Sequence, residues 1–68
     1  MECIINGEKR SFASDRLTIR QLLQELDVSL QRGVAVALNN AVIPQSEWDE
    51  QALNEGDHVE VIRATQGG

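Results

Sequence analysis

Sixty-eight residues make one small domain, which buries only ~60% of the surface its unfolded chain exposes and leaves no room for a deep, water-excluded catalytic cleft. Hydrophobic residues are 41% of the chain, enough for a core. The net charge of −5 runs against nucleic-acid binding, which rests on phosphate neutralisation by Lys and Arg, and favours docking to a basic protein surface.

Met1 to Ile5 is short and β-rich. Acidic Glu2 and polar Asn6 bracket only three apolar residues, unlike a signal peptide, and no run approaches the ~20 apolar residues of a membrane span. A cytoplasmic chain without membrane contact is expected. Cys3 is the only cysteine, so no intramolecular disulfide forms and zinc-ligand spacings are absent. Its place in the strand predicts a buried structural thiol rather than a sulfur relay. Asn6-Gly7 signals a two-residue type I′ hairpin, because both central positions need positive φ. Glu8 to Ala13 is the returning strand, with Phe12 its one large apolar residue.

Ser14 to Arg16 is a polar link. Thr18 and Gln21 have the spacing of a capping box, and Leu17 and Leu22 that of a hydrophobic staple. Ile19, Leu22, Leu23 and Leu26 form one apolar stripe at i, i+3, i+4 and i+7, with Arg20, Gln21, Gln24 and Glu25 on the other side. A helix from about Thr18 to Leu26 or Asp27 follows, packed on the hairpin.

Val28 to Gly33 connects to the apolar run Val34–Leu38, a strand covered on one face. Asn39-Asn40 supplies a left-handed turn into the short return strand Ala41–Ile43, which Pro44 ends for want of an amide donor. Ser46 to Asp49 reads as one helical turn, with Ser46 capping it and Trp48 anchoring it to the core, although a lone Trp is also a candidate partner contact. Leu53 is a second anchor. Glu55-Gly56-Asp57 is a tight turn. His58 to Ile62 alternates, placing Val59 and Val61 in the core and His58, Glu60 and Ile62 opposite. A triad of Ser46, Asp57 and His58 has neither cleft nor geometry behind it, and His58 is read as a solvent-facing strand residue.

The chain as given ends Arg63-Ala64-Thr65-Gln66-Gly67-Gly68. Glycine adds nothing to a core and loses the most backbone freedom on ordering, so two glycines suit a thin strand that enters a narrow space. The six residues after Ile62 reach roughly 20 Å. A frayed terminus is the plain alternative.

Strand, strand, helix, strand, short strand, helical turn, strand is an α+β order. The β-grasp fold has this order: a mixed sheet of about four to five strands, first and last central and parallel, with one main helix across one face. Residues 1–63 are the expected domain and 64–68 its flexible tail. The open face of such a sheet is available for docking, with Ile4 and Ile62 as candidates.

Taken together, the Asn6-Gly7 hairpin, Thr18-Ile19-x-x-Leu22-Leu23, Val36-Ala37-Leu38-Asn39-Asn40, Val42-Ile43-Pro44 with Trp48, Glu55-Gly56-Asp57 and Gly67-Gly68 resemble the ubiquitin-like sulfur carriers over the whole length, and most closely the ThiS family of thiamin thiazole biosynthesis. The molybdopterin-synthase carriers look less similar. Their tails typically carry a Pro-Pro pair where this chain has Arg63-Ala64, and they lack the Ile-Pro-x-x-x-Trp segment of Ile43–Trp48. Gln66 and Glu60 depart from the more apolar or small residues common at their places, which bears on partner docking.

The resemblance implies that Gly68 is the site of covalent chemistry. An adenylating, ubiquitin-activating-like enzyme would use ATP and Mg to activate its carboxylate, and a persulfide donor would convert it to a thiocarboxylate. A thiazole synthase would take the sulfur. Thr65, Gln66 and Gly67 would enter the partner's active site. The chain itself would hold no cofactor or metal and contribute no catalytic residue. Three other readings remain open: a sulfur carrier for molybdopterin or another pathway, a ubiquitin-like modifier joined to lysines, and a noncovalent β-grasp binding module.

Overall fold

The computed structural model describes residues 1–28 and 33–63. β1 (Glu2–Ile5) and β2 (Glu8–Ser11) form the expected antiparallel hairpin, with Asn6 at φ 51 and Gly7 at φ 83. Both lie in the left-handed region that a type I′ turn requires. The pairing extends past β2, where the Phe12 amide donates to the Met1 carbonyl at 2.7 Å.

The one α-helix among the described residues, α1 (Ile19–Glu25), begins on the capping box read from the sequence. The Gln21 amide donates to Thr18 Oγ1 (3.2 Å), and the Thr18 amide donates to Gln21 Oε1 (2.9 Å). The other amides of the first turn, which no helix satisfies internally, find carbonyls downstream. Ile19 donates to Gln51 at 3.0 Å and Arg20 to Trp48 at 3.1 Å. The segment around Trp48 is therefore a cap for α1 as well as a packing element.

The helix ends one residue earlier than the hydrophobic stripe suggests, with Leu26 as its C-cap. Asp27 follows at φ 57, the Val28 amide donates to the Leu23 carbonyl (3.0 Å), and the Asp27 amide donates to the Gln24 carbonyl (3.1 Å). These two bonds make a Schellman motif with aspartate where glycine is usual. Val28 turns inward beside Leu23, and both are buried. Left-handed backbone costs an L-residue roughly 1–2 kcal/mol, part of which glycine gives back as lost chain entropy. Asp27→Gly is expected to stabilise the domain by about 0.5–1 kcal/mol, read as a higher urea midpoint with unchanged slope.

β3 (Val34–Leu38), β4 (Ala41–Ile43) and β5 (His58–Arg63) complete a five-stranded sheet in the order β2-β1-β5-β3-β4. β5 runs parallel to β1 and antiparallel to β3, and β3 pairs antiparallel with β4 across the left-handed Asn39-Asn40 turn (φ 49 and 74). This is the β-grasp arrangement, with the last strand in mid-sheet.

The turn after Pro44 differs from expectation. It is a 3-10 turn over Gln45–Glu47 with Pro44 at the N-cap position, and no side chain caps it. Ser46 lies inside the turn and caps nothing, because Pro44 already starts it and supplies the carbonyl that accepts from the Glu47 amide at 2.9 Å. Trp48 closes it as read, fully buried, its Nε1 donating to the Ile43 carbonyl at 2.9 Å. The Arg20 guanidinium sits 5.7 Å from the Trp48 ring centroid and pairs with Asp49.

The core joins Cys3, Ile5, Val36 and Val59 of the sheet to Ile19, Leu22 and Leu23 of the helix, closed at the margins by Leu17, Val28, Trp48 and Leu53. Val61, which the alternation of the last strand places in the core, packs against this cluster but is only partly buried, as are Phe12, Leu26 and Leu38.

Candidate functional site

The residues that matter most for the sulfur-carrier reading, Thr65, Gln66, Gly67 and Gly68, lie outside the described residues. The structure does show how the strand leading to them is held. β5 is flanked by β3 over all but its first residue, from Leu38 opposite Val59 to Val34 opposite Arg63. On its other flank β1 pairs only as far as Ile5 opposite Val59, because the chain then turns away at Asn6-Gly7.

Asn6 fills the place that β1 vacates. Its amide N–H donates to the Val59 carbonyl (2.9 Å), and its side chain spans the next backbone pair. The Val61 amide donates to Asn6 Oδ1 (2.8 Å), and Asn6 Nδ2 donates to the Val61 carbonyl (3.4 Å). A side-chain carboxamide offers one acceptor and donors in the same geometry as a peptide group, so it continues the ladder for one more step.

The start of β5 is tied as tightly. Asp57 accepts from the Asn54 amide (2.7 Å) and from Asn39 Nδ2 (3.1 Å), and its own carbonyl accepts from the Ile4 amide (2.9 Å). Asn39 Oδ1 accepts from the His58 amide (2.9 Å). The Asp57 carboxylate is thus occupied in holding a turn, and no hydrogen bond joins the His58 ring to Asp57 or Ser46. The triad does not assemble.

The sheet face away from α1 carries the two docking candidates. Ile62 is 57% exposed and Ile4 is half-buried. They share the face without touching as a pair: Ile4 lies beside His58, and Ile62 lies beside Ala35 at the opposite end of β5. Val42, 75% exposed, is an apolar residue of this face that sequence reasoning missed. It pairs with Ala37, which also faces Glu60. Ala35 and Ala37 leave a shallow saddle with Ile62 on one side and Val42 on the other. The signal was in the sequence: a two-residue Asn39-Asn40 turn sets Val42 opposite Ala37, one step from inward-facing Val36.

Cys3 is fully buried, its Sγ 3.6 Å from the Asn54 carbonyl. Burial first, then the negative charges of Asp57 and Glu55, pushes its thiol pKa up. A thiol so placed is a poor nucleophile, since reactivity belongs to the thiolate. As pH rises the unfolded chain releases this proton before the folded one. The stabilising contribution is therefore whole below the usual thiol range, near ~8.5, and is lost as pH climbs through the raised value. Urea midpoints are expected to fall on the alkaline side, and Cys3→Ala to flatten that limb. An alkaline limb identical in both proteins would contradict this placement of the thiol.

Among the described residues no three His, Cys, Asp or Glu side chains gather as a metal site, and no helix is long and apolar enough to cross a membrane.

Comparison with known proteins gives a consistent set of likenesses. The model of the ThiS family matches residues 3–68. The sulfur carrier protein ThiS of Thermus thermophilus is 39% identical over 64 residues, 94% of this chain and 95% of that one. A thiazole synthase of Paramagnetospirillum magneticum is 40% identical over all 68 residues, but the chain spans only 20% of that protein's length. Among solved structures, the thiamine biosynthesis protein ThiS of Geobacter metallireducens superposes with a TM-score of 0.86 at 29% identity, covering 100% of both chains.

Proposed function

The chain belongs to the ThiS family, the sulfur carriers of thiamin biosynthesis, and from that premise we propose that its Gly68 carboxylate is the group that is activated and made to carry sulfur. The observation that carries the reading is the family match, which extends to Gly68. A terminal carboxylate has a pKa of ~3.3–3.7 and is anionic at neutral pH, so nucleophiles do not attack it directly. An adenylating enzyme removes that obstacle. The carboxylate oxygen displaces pyrophosphate from MgATP and becomes an acyl-adenylate. The terminal sulfur of a persulfide then attacks the acyl carbon and AMP leaves. A thiol cleaves the resulting acyl disulfide, is itself oxidised to a disulfide, and leaves the thiocarboxylate on Gly68.

The carrier acts as a co-substrate of its partner enzymes. Its body supplies recognition, and binding energy from that body helps position the reacting end. Ile62 and Val42 beside the alanine saddle, with Ile4 farther along, are the docking residues of this reading. The small tail residues Gly67 and Gly68 avoid Cβ clashes in a narrow channel. The receiver of the sulfur is a thiazole synthase. Support comes from the Paramagnetospirillum protein of that name, which includes a stretch similar to this whole chain.

The test is incubation with the cognate adenylating enzyme, MgATP, a persulfide donor and a thiol, followed by intact and tandem mass spectrometry. One oxygen is expected to be exchanged for sulfur at Gly68. Sulfur found on Cys3 instead, or an isopeptide to a lysine as the sole product, would overturn the reading.

A further inference from the structure

We infer that Asn6 is a positioning residue for the carrier reaction: its side-chain amide latches the root of the C-terminal tail, so that docking of the body also aims the tail. This rests on the reading of Gly68 as the reacting group. The geometry is specific. β1 leaves β5 after Val59, and among the described residues the vacated flank is hydrogen-bonded by the Asn6 carboxamide, which pairs with the N–H and C=O of Val61. Without these bonds, the backbone of β5 from Val61 onward hydrogen-bonds to β3 alone among the described residues.

Asparagine suits both demands at this position. It accepts φ 51 more readily than most residues do, and it presents an acceptor and a donor to the N–H and C=O of one residue. Glycine would serve the turn alone.

Releasing the latch leaves β5 beyond Val59 hydrogen-bonded on one flank only, to β3, so the stretch from Val61 to Arg63 opens more often. The longer tether that each opening gives changes little by itself, because effective concentration falls only as about the −3/2 power of length, a factor under ~2 here. The larger effect is that the partner must order backbone the free carrier would have held in place. The latch is worth about one net hydrogen bond in stability terms, so a roughly three- to tenfold fall in activation is expected.

Asn6→Gly keeps the turn and removes the amide. Asn6→Asp keeps the acceptor for the Val61 amide but sets a carboxylate oxygen against the Val61 carbonyl. ATP–pyrophosphate exchange with the cognate adenylating enzyme gives kcat and KM for each carrier. Both variants are expected to lower kcat roughly three- to tenfold with KM little changed, since β3 still pairs Ile62 with Ala35 and the rest of the docking face lies outside the loosened stretch. Hydrogen exchange should speed up at the Val61 amide but not at Leu22 or Val36. A merely structural role would not divide the effect in this way. Wild-type kcat in Asn6→Gly, or a rise in KM alone, overturns the latch and leaves the Gly68 reading standing. If the wild-type carrier supports no exchange, the Gly68 reading falls and the latch with it.

Discussion

Deleting Gly68 is expected to abolish adenylation and leave the fold as stable as before. The shortened chain still ends in a carboxylate, now on Gly67, but that group is withdrawn by ~3.3–3.6 Å, a whole reacting-atom separation. β3 holds β5 as far as Arg63, so neither the shortened nor an extended tail can slide along the sheet to recover the distance without breaking its register. One residue added after Gly68 should have the same consequence, by carrying the carboxylate past the nucleotide. Pyrophosphate exchange measures the first half of the expectation and thermal unfolding the second. An exchange rate matching wild type in the shortened carrier would remove Gly68 from the chemistry.

The second large effect lies in the core. Leu23→Ala is expected to cost ~2–5 kcal/mol, against a total stability of roughly 3–10 kcal/mol for a domain of this size. Leu23 is fully buried, packs between helix and sheet, and stands at the position that a Schellman motif pairs with buried Val28. Its loss opens a cavity where few neighbours are free to collapse. Urea unfolding should show the midpoint fall by half or more, or no folded baseline at all. A variant as stable as wild type would mean that the helix presents a different face.

The sequence told most where a local rule had only one solution. Thr18 and Gln21 announced the capping box, Asn6-Gly7 the hairpin and Asn39-Asn40 the second turn, and each formed as read. The β-grasp order followed from element lengths and alternation. What escaped was of two kinds: local caps made by a residue not usual there, and whatever depended on partners distant in the chain. The cap at Asp27 was hidden because aspartate is an uncommon choice for that left-handed position. Ser46 looked like a cap because the reading did not credit Pro44 with starting the turn itself. Val28 and Leu17 sit in connections, and only the folded chain shows that these connections seal the core. The second role of Asn6 was invisible for the same reason: nothing near Asn6 in the sequence points to Val61. For the tail the resemblance was the informative signal, since glycines alone fit a frayed end equally well.

The strand at the centre of this sheet is the one made last among the described elements. β1 waits for β5 through almost the whole length of synthesis, and β3 waits too, since Ile4 and Ile5 pair with His58 and Val59, and Val34 with Arg63. Pairings so distant in the chain are slow to close, and until they close the two halves of the sheet have no common middle. The hairpin and α1 can form on the ribosome, but the saddle of Ile62, Ala35, Ala37 and Val42 cannot exist before β5 emerges. A chain truncated before β5 therefore has no assembled surface of this kind. On the proposed reading, a partner that recognises the folded body would engage only chains translated through Arg63, to the threshold of the tail.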